Sequence, residues 1–353
     1  MKTFEIRYCS VKLTVPYQLS FGAIDSFDSY FVKVETPHSE GFGEITPLPG
    51  YSSETREIVE TALQEMERKA AVSSSFVDAI DSISAAAPMT VSGLCTALDV
   101  ADLGCETVFG SSGGEAIPVA ALCSGVTPED AVVQANQLVA DGAKTLKLKV
   151  ASGTVEQDIA RIQAVSHEVE GKAVLRLDAN QRLDPNHADR FVDALAGLPI
   201  ALLEQPFLPE NIVATAALIK RSSVPIMLDE SIWDIGDLEE AGRLHAPIVK
   251  LKLCKHQGVS GCRAMLRKAR QLGLGIVFGN GVQTAVGNRI EMFIYRAEGL
   301  STAVEATGFV KPGGNPGQTG LALENWTMRE VARTDPAAYF NAGLPITSFC
   351  FDN

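Results

Sequence analysis

The stretch TLKLKV (residues 145–150) is followed along the chain by LRLDANQ (175–181), LLEQPF (202–207), IMLDES (226–231) and IVKLKLCK (248–255). Each stretch is a short run rich in Val, Ile and Leu that carries charged residues near its end. Longer amphipathic segments separate the runs, a pattern typical of parallel strands joined by helices. Charges inside such strands face a buried interior, where they need partners or a metal ion. The five runs therefore predict a fold and a site together.

The same alternation continues on both sides of this region. Eight strand-like runs start near residues 117, 145, 174, 201, 225, 248, 275 and 302, at spacings of 23 to 29 residues. Eight such units predict an α/β fold, a modified (β/α)8 barrel of the TIM type. The alternative is an open doubly wound sheet. It would need a phosphate-binding G-x-G-x-x-G after an early strand, and the sequence has none.

Residues 1–115 do not follow this alternation. They begin with segments that alternate apolar and polar residues, as antiparallel strands do, and continue with two helical patterns. We expect a separate N-terminal α+β capping domain, joined by the C-terminal tail, residues 324–353. The barrel domain is then predicted to span residues 116–323.

Composition narrows the class of protein. The chain has 353 residues, 46 % hydrophobic and 21 % charged, and a formal net charge of -13. That charge argues against nucleic acid and against an anionic membrane surface as partners. No apolar run is long enough to cross a bilayer, and the N-terminus lacks a signal segment. Seven scattered cysteines without a C-x-x-C pair favour free thiols, so we expect a cytoplasmic protein.

Three carboxylates occur on consecutive strands of the predicted barrel. Asp178, Glu204 and Asp229 end the third, fourth and fifth strands, and adjacent strands lie about 4.8 Å apart. Three acids at matching heights converge on one point, where hard oxygen ligands suit Mg²⁺, with Mn²⁺ as the alternative. Zinc is not expected, because these motifs lack His and Cys. A helix-capping role would explain any one of the acids, but it explains three on consecutive strands poorly.

Lysines flank the acids on the second and sixth strands. Alternation along TLKLKV turns the leucines towards the helices, so Lys147 and Lys149 point into the barrel mouth. The same logic turns Lys250 and Lys252 inward. The two strands lie four apart in a ring of eight, so their lysines face each other across one central space. For Lys149 and Lys252 we expect acid/base catalysis, and Lys147 is a further catalytic candidate. The alternative, that a lysine only neutralises the acids, is more plausible for Lys147 and Lys250 than for the other two.

This arrangement suits removal of the proton next to a substrate carboxylate. A metal ion takes up the negative charge as an enediolate forms. One lysine removes the proton, and the opposite lysine returns it on the other face or stabilises the intermediate.

With these residues in place, the chain resembles the enolase superfamily, and within it the muconate lactonizing enzyme subgroup of the mandelate racemase/muconate lactonizing enzyme family. The resemblance covers nearly the whole chain. It is carried by motifs in a fixed order: K-x-K at Lys147 and Lys149, D-x-N at Asp178 and Asn180, E-Q-P at Glu204–Pro206, D-E-S at Asp229–Ser231 and K-L-x-K at Lys252–Lys255.

The resemblance implies one Mg²⁺ per subunit, held by Asp178, Glu204 and Asp229, and catalysis by Lys149 and Lys252, with Lys147 beside them. It also implies that two capping-domain loops, around Ser20–Ile24 and Pro47–Ser53, shape substrate choice, and that the protein is a homo-oligomer. Residues expected to touch the substrate or to support the site are Ser20, Phe21, Tyr51, Asn180, Glu230, Gln283 and Glu305.

Two positions depart from patterns in the subgroup. At the seventh strand many members carry a Glu, where this chain has Gln283. At the eighth strand, dipeptide epimerases carry D-x-D for the substrate ammonium, whereas this chain offers Glu305 and Thr307. The second departure argues against an ordinary dipeptide epimerase, although Glu305 alone could still hold an ammonium or a hydroxyl.

Three hypotheses follow for the function. The first is a Mg²⁺-dependent isomerase, a racemase, epimerase or cycloisomerase, that acts on a small carboxylate. The second is a lyase that shares the first step and then eliminates water, as o-succinylbenzoate synthase does. The third is a non-catalytic binding protein on the same scaffold, which the intact set of acids and lysines argues against.

Overall fold

A computed structural model describes residues 1–19, 22–49, 51–72, 75–111, 113–151, 153–279, 282–313 and 319–352. The N-terminal part is built on a four-stranded antiparallel sheet in the order β14-β1-β2-β3. Its strands are β1 (Lys2–Leu19), β2 (Gly22–Glu35), β3 (Glu40–Ile45) and, from the end of the chain, β14 (Leu344–Phe351).

Four helices follow the first three strands: α1 (Arg56–Ala71), α2 (Phe76–Ile83), α3 (Pro88–Leu103) and α4 (Cys105–Phe109). Helix α3 packs so closely on β3 that a Cβ at Gly43 would lie 2.2 Å from the carbonyl oxygen of Gly93. Helix α1 is capped by Thr55, whose side chain accepts from the Ile58 N–H. The neighbouring Glu54 instead turns its carboxylate to the N-terminus of α3, where it accepts from the Met89 and Thr90 N–H groups.

A seven-stranded parallel sheet forms the second part, with its strands in sequence order from β5 to β11. The helices lie between consecutive strands, and the core cluster between sheet and helices includes Leu146, Leu148, Leu175 and Leu203. The strands are β5 (Ala121–Cys123), β6 (Thr145–Lys149), β7 (Val174–Asp178), β8 (Ile200–Glu204), β9 (Ile226–Leu228), β10 (Ile248–Leu251) and β11 (Gly275–Phe278), preceded by the short β4 (Ile117–Pro118). The helices are α5 (Pro128–Ala140), α6 (Val155–Glu168), α7 (Pro185–Ala194), α8 (Ile212–Arg221), α9 (Ile235–Arg243), α10 (Gly258–Gln271) and α11 (Ala285–Ala297).

The eighth strand is reduced to a short contact that closes the ring. Val304 forms a parallel bridge with Val119, and Ala120 N–H donates to the Val304 carbonyl at 2.9 Å. On the other side, Glu305 N–H donates to the Phe278 carbonyl at 3.2 Å. Among the described residues that follow are a 3-10 turn, Gly308–Val310, and a hairpin that begins at Leu321. Within the described residues, the barrel is therefore modified at its eighth strand, which is only this short segment.

The C-terminal tail divides between the two parts of the molecule. Strands β12 (Leu321–Glu324) and β13 (Thr327–Glu330) form a hairpin, and β13 pairs with β4 of the barrel. After helix α12 (Pro336–Ala342), β14 pairs antiparallel with β1. The predicted tail, 324–353, thus begins on the barrel, and only its later residues enter the N-terminal sheet.

All seven cysteines carry free thiols, as the sequence suggested. None of the helices in the described part of the chain combines the length and apolar character that a bilayer crossing requires.

One buried acid fastens the capping sheet to the barrel. Glu44, at the end of β3, accepts from the Thr284 N–H at 2.8 Å, the Thr284 hydroxyl at 2.7 Å and the Gly287 N–H at 3.0 Å. It thereby satisfies the N-terminus of α11 from the other domain, where a negative charge is favoured. This joint fixes how the capping loops sit over the barrel mouth.

Glu44→Gln is expected to destabilise the protein by about 1–3 kcal/mol, because an amide NH2 would face donors that a carboxylate satisfies. Thermal unfolding measures the loss as a lower Tm. Glu324→Gln, at an exposed position on β12, is the control and should leave the Tm unchanged. If Glu44→Gln and the parent had the same Tm, Glu44 would not stabilise the contact between the two domains.

Candidate active site

The carboxyl ends of the barrel strands and the capping sheet enclose a cavity of about 730 Å³, a size typical of small-molecule sites. Leu146 and Leu148 are buried in the core between sheet and helices, so alternation along β6 turns the intervening lysines into the cavity. Twelve residues named from the sequence line it: Tyr51, Lys147, Lys149, Asp178, Asn180, Glu204, Asp229, Glu230, Lys250, Lys252, Glu305 and Thr307.

The three acids predicted as metal ligands lie close to one another and are buried. Asp178 and Glu204 are paired in the register of β7 and β8, and Asp229 follows β9 directly. Their exposed fractions are 3 %, 1 % and 2 %. Each of their six carboxylate oxygens already contacts a donor of the chain. Asp178 Oδ1 accepts from the Asn180 N–H at 2.9 Å, and most of the other oxygens face lysine ammonium groups.

Lys147 and Lys250 bridge the acids. Lys147 Nζ lies 2.8 Å from Asp178 Oδ2 and 2.6 Å from Glu204 Oε2, and Lys250 Nζ lies 2.9 Å from Glu204 Oε1. Both ammonium groups also reach Glu305 Oε2, at 2.8 and 2.5 Å. Burial opposes the charge on each lysine, but the surrounding carboxylates outweigh it and raise the pKa of both. For Lys147, this geometry favours neutralisation of the acids over proton transfer, because an ammonium held so firmly is a poor base.

Lys149 has a different environment, two residues further along β6. It stands opposite Asp178 in the pairing of β6 and β7. Burial lowers the pKa of Lys149; Asp178 opposes that shift, whereas the ammonium of Lys147 adds to it. A lysine whose neutral form is favoured can accept a proton from carbon more readily.

Lys252 reaches the cavity from the opposite wall. Its Nζ donates to Asp229 Oδ2 at 2.6 Å and to the Tyr51 hydroxyl oxygen at 2.5 Å. The Tyr51 hydroxyl in turn donates to Asp229 Oδ1 at 2.9 Å, and its ring centre lies 3.9 Å from Lys252 Nζ. Tyr51 comes from the capping loop, so the two domains meet at this lysine.

Two further predicted acids have oxygens without a hydrogen-bond partner among the described residues. These are Glu230 Oε2 and Glu305 Oε1, both buried. Burial, followed by repulsion from Asp229 and Asp178, raises the pKa of Glu230 to about 7. For Glu305, burial acts in the same direction, but Lys147 and Lys250 prevail and hold its pKa below the ordinary value.

Gln283 does not reach the cavity. It is buried beside α11, and its side-chain amide donates to the Glu44 carbonyl at 3.5 Å. The residue lies at the interface with the capping sheet, and its contact with substrate stays a prediction. Ser20 and Phe21 lie outside the described residues, as does the predicted Asn280–Gly281 turn.

Three other residues belong to the site but were given no role from the sequence, although Lys255 ends the K-L-x-K motif. Lys255 donates to the Asp229 carbonyl at 2.7 Å, and burial lowers the pKa of its amine to about 8. Its position three residues after Lys252 was a usable signal, since a 3-10 turn, Leu253–Lys255, brings it back to the same side. Tyr17 and Lys311 also line the cavity, and they come from segments without a recognisable pattern.

The chemistry of the three acidic side chains decides whether they fit a divalent cation. Asp178, Glu204 and Asp229 offer only buried oxygen atoms on neighbouring strands, which fits Mg²⁺. Burial, and then repulsion from Asp178, raises the pKa of Glu204 to about 8, so added positive charge would relieve this group. Among the described residues, no three His, Cys, Asp or Glu side chains are arranged so that they could hold a metal ion without moving. The ammonium groups bridge the acids, which therefore do not converge on one empty point as predicted.

Comparison with protein families gives two matches. The family described as enolase C-terminal domain-like matches residues 130–328, more than half of the chain. The family described as MenC, N-terminal domain, matches residues 10–98.

Individual proteins are similar over most or part of the chain. The N-succinyl-L-Arg/Lys racemase of Bacillus cereus is 26 % identical over 329 residues, covering 88 % of each chain. The o-succinylbenzoate synthase of Thermobifida fusca is 35 % identical over 49 % of this chain and 53 % of its own length. A crystal structure of a dipeptide epimerase from Enterococcus faecalis V583, complexed with Mg and the dipeptide L-Leu-L-Tyr, superposes with a TM-score of 0.78. It is 25 % identical and covers 95 % of this chain and 99 % of that one.

Proposed function

The chain belongs to the mandelate racemase/muconate lactonizing enzyme family of the enolase superfamily, and we propose that it is a Mg²⁺-dependent isomerase that removes the proton next to a substrate carboxylate. Its relatives are racemases, epimerases and cycloisomerases, so the protein is an enzyme. The non-catalytic hypothesis is set aside on that ground.

One observation carries the proposal: two lysines line one cavity from strands on opposite sides of a closed ring. Lys149 ends the second strand of the ring and Lys252 follows the sixth, with the acids on the strands between them. A substrate carbon held at the centre would present one face to each amine. Proton removal on one face and return on the other inverts the configuration.

The two lysines have unequal starting states. Burial favours the neutral amine of Lys149, which can then act as the base. Lys252 donates to Asp229 and Tyr51 from the opposite wall, and we assign it the proton that is returned to the substrate. Because the reaction can run in both directions, each group must take either role, and the cycle leaves the pair with its original number of protons.

Asp178, Glu204 and Asp229 are proposed to hold Mg²⁺, which when bound offsets the negative charge that develops on the substrate carboxylate. Occupation of these acids would take over contacts that Lys147 and Lys250 now make. Both lysines retain Glu305 as a partner, so their charges stay compensated. Glu305 thus belongs to the electrostatic support of the site.

A second candidate has its own support. The MenC N-terminal domain match and the similarity to an o-succinylbenzoate synthase both favour a lyase with the same first step followed by loss of water. The lysines would then have unequal duties, because only one proton is removed and none is returned to carbon.

Incubation with Mg²⁺ in D₂O separates the two candidates. N-acylated amino acids, dipeptides and hydroxy-substituted succinyl carboxylates are followed by proton NMR. Deuterium exchange with inversion and no loss of mass supports the isomerase, and loss of water supports the lyase. If a Lys149→Met, Lys252→Met double variant kept either activity, the mechanism would be abandoned.

Tyr51→Phe is expected to lower the rate of proton exchange by about tenfold, the effect of one lost hydrogen bond to charged groups. The variant keeps the ring over Lys252 but loses the hydroxyl that joins the amine to Asp229. Steady-state exchange kinetics measure the effect. Tyr30→Phe loses a capping-domain hydroxyl that donates to Glu60, so it is the matched control and should exchange at the parental rate.

Two further expectations belong to the proposal. The capping domain, residues 1–115 with the later part of 324–353, is expected to determine substrate specificity. The barrel domain, residues 116–323, is expected to carry the chemistry. Self-association into a homo-oligomer and a cytoplasmic location stay predictions.

A further inference from the structure

Two buried charges on helix α6 contact the chain directly after β6. Arg161 and Asp158 are 8 % and 5 % exposed, and Arg161 Nη2 lies 2.8 Å from Asp158 Oδ1. Neither is among the described residues that line the main cavity, so any effect on the reaction must pass through another residue. Because the cost of desolvation offsets much of the attraction in a buried ion pair, stability alone explains such a pair poorly.

The guanidinium of Arg161 joins the carboxyl ends of two strands. Nη2 also donates to the Lys149 carbonyl, and Nη1 donates to the Gly125 carbonyl at 3.0 Å. Lys149 is the last residue of β6, and Gly125 lies two residues beyond the end of β5. Since a planar guanidinium directs its donors along fixed directions, these two strand ends are held in one relative position.

The carboxylate of Asp158 holds the next part of the same turn. Its Oδ2 accepts from the Ala151 N–H at 2.7 Å. Ala151 has a φ of 59°, in the left-handed region that a residue with a Cβ rarely adopts. A second cavity of about 340 Å³, lined in part by Ala151, Thr154 and Asp158, borders the turn, so close packing does not fix it on that side. The turn therefore depends on its hydrogen bonds.

Together these contacts fix the two peptide planes that follow Lys149. In the first plane, the Lys149 carbonyl accepts from the guanidinium, and the Val150 N–H donates to the Asp178 carbonyl at 2.8 Å. In the second plane, the Ala151 N–H donates to the carboxylate of α6. Pairing with β7 holds the residues before Lys149. The direction in which Lys149 leaves the backbone is therefore set from both sides of its Cα.

The opposite lysine is held by other groups. The Lys252 carbonyl accepts from the Lys255 N–H at 3.1 Å, and the Leu253 carbonyl accepts from the Ser92 hydroxyl at 2.5 Å. Ser92 belongs to α3 of the capping domain. A change on α6 should therefore disturb Lys149 and spare Lys252.

We infer that Arg161 and Asp158 are positioning residues that direct the amine of Lys149 at the reacting carbon. This inference rests on the proposed function, which gives Lys149 a proton transfer. Misplacement of a reacting group by about 1 Å can lower a rate by about 100-fold. A pair that only stabilised the barrel would affect proton transfer at both lysines alike, whereas a positioning pair affects one.

The test follows deuterium exchange from each enantiomer of N-acetylphenylalanine in D₂O with Mg²⁺. Arg161→Lys keeps a positive charge beside Asp158 but lacks the planar group that reaches two carbonyls. It should lower exchange from the enantiomer that faces Lys149 by about 10- to 100-fold, in kcat rather than KM, and leave the other at the parental rate. The enantiomer that faces Lys149 is the one that Lys252→Met still exchanges. Asp158→Asn should lower the same rate by about tenfold, the effect of one lost hydrogen bond to a charged group.

Arg263→Lys is the matched control. It makes the same change in an arginine that pairs with Glu298 at 2.5 Å, between α10 and the end of α11. Exchange from both enantiomers should stay at the parental rate. An equal loss of exchange from both enantiomers in Arg161→Lys, or parental exchange from both, overturns the positioning role.

Exchange of backbone amides, read by mass spectrometry without substrate, separates this inference from the proposed function. In Arg161→Lys, the amides of residues 149–151 should exchange faster than in the parent, and those of residues 252–255 should not change. Unchanged amide exchange at 149–151 overturns the role of Arg161, whatever the α-protons show. Faster amide exchange there, with no exchange of α-protons from either enantiomer by the parent, supports the hold on Lys149 and counts against the proposed reaction.

Discussion

Lys149→Met and Lys252→Met are each expected to lower the rate of stereochemical inversion by about 10²- to 10⁴-fold, the range for loss of a general acid or base. Methionine keeps most of the side-chain volume but cannot carry a proton. Inversion needs an amine on both faces of the reacting carbon. Removal of either amine should therefore stop it.

Exchange in D₂O should distinguish the two single variants. Each variant is expected to keep deuterium exchange from the one enantiomer whose proton faces its remaining lysine, and to lose exchange from the other. The enantiomer preference should be opposite in the two variants. Lys144→Met, exposed just before the start of β6, is the control and should leave both rates unchanged. Full inversion by either single variant would contradict the two-base mechanism.

If the lyase hypothesis holds instead, the two variants should have different effects on the reaction. One lysine alone would then remove the proton, so its loss would stop the reaction, while loss of the opposite lysine would weaken charge stabilisation. The same pair of variants therefore tests the mechanism and discriminates between the candidates.

The parallel strands and the inward lysines could be predicted because they follow from local rules. Alternation along TLKLKV fixes which side of β6 faces the interior once Leu146 and Leu148 are assigned to the helix side. Even spacing of the strands then places Lys149 and Lys252 on opposite walls. Neither step needs knowledge of distant contacts.

The rest depends on contacts between segments far apart in sequence. Tyr51 was a candidate from its loop, but its hydrogen bonds to Asp229 and Lys252 span 178 and 201 residues of chain. Gln283 lies against the capping sheet, where its side-chain amide donates to the Glu44 carbonyl and the Glu44 carboxylate accepts from the start of α11, contacts that the sequence alone does not show. Lys311 gave no signal, because a lone lysine after a turn has no periodicity to mark its direction.

The arrangement of the acids could be predicted only in part. The sequence suggested three carboxylates around one point and offered Lys147 and Lys250 as groups that could neutralise them, but it did not show which carboxylate oxygens these lysines contact. Charges of opposite sign at about 3 Å in a buried site attract strongly, and Lys147 and Lys250 contact Glu204 from the strands β6 and β10. The lysine contacts and the proposed metal site therefore draw on the same carboxylate oxygens.

Because Lys147 and a metal ion would contact the same carboxylate oxygens, two variants are expected to change the affinity for Mg²⁺ in opposite directions. Glu204→Gln is expected to weaken Mg²⁺ binding by about 10- to 100-fold, as loss of a ligand or its close support does. It should also lower proton exchange at low Mg²⁺ by a similar factor. Lys147→Met is expected to strengthen Mg²⁺ binding, because the ammonium between Asp178 and Glu204 repels a cation and occupies its ligands. Titration of Mg²⁺ into the chelator-treated protein measures both affinities by calorimetry.

Glu44→Gln is the matched control for this pair, because it also neutralises one buried carboxylate but lies at the domain joint. Measured well below its Tm, it should bind Mg²⁺ like the parent. If Glu204→Gln and Glu44→Gln had equal effects, loss of negative charge or of stability would explain them, and the assignment of Glu204 as a ligand would fall. If Lys147→Met weakened Mg²⁺ binding instead, the lysine would be a support for the acids rather than a competitor, and the metal would have to lie elsewhere in the cavity. Only the pair of opposite shifts would support Asp178 and Glu204, which Lys147 contacts, as residues that would hold the cation.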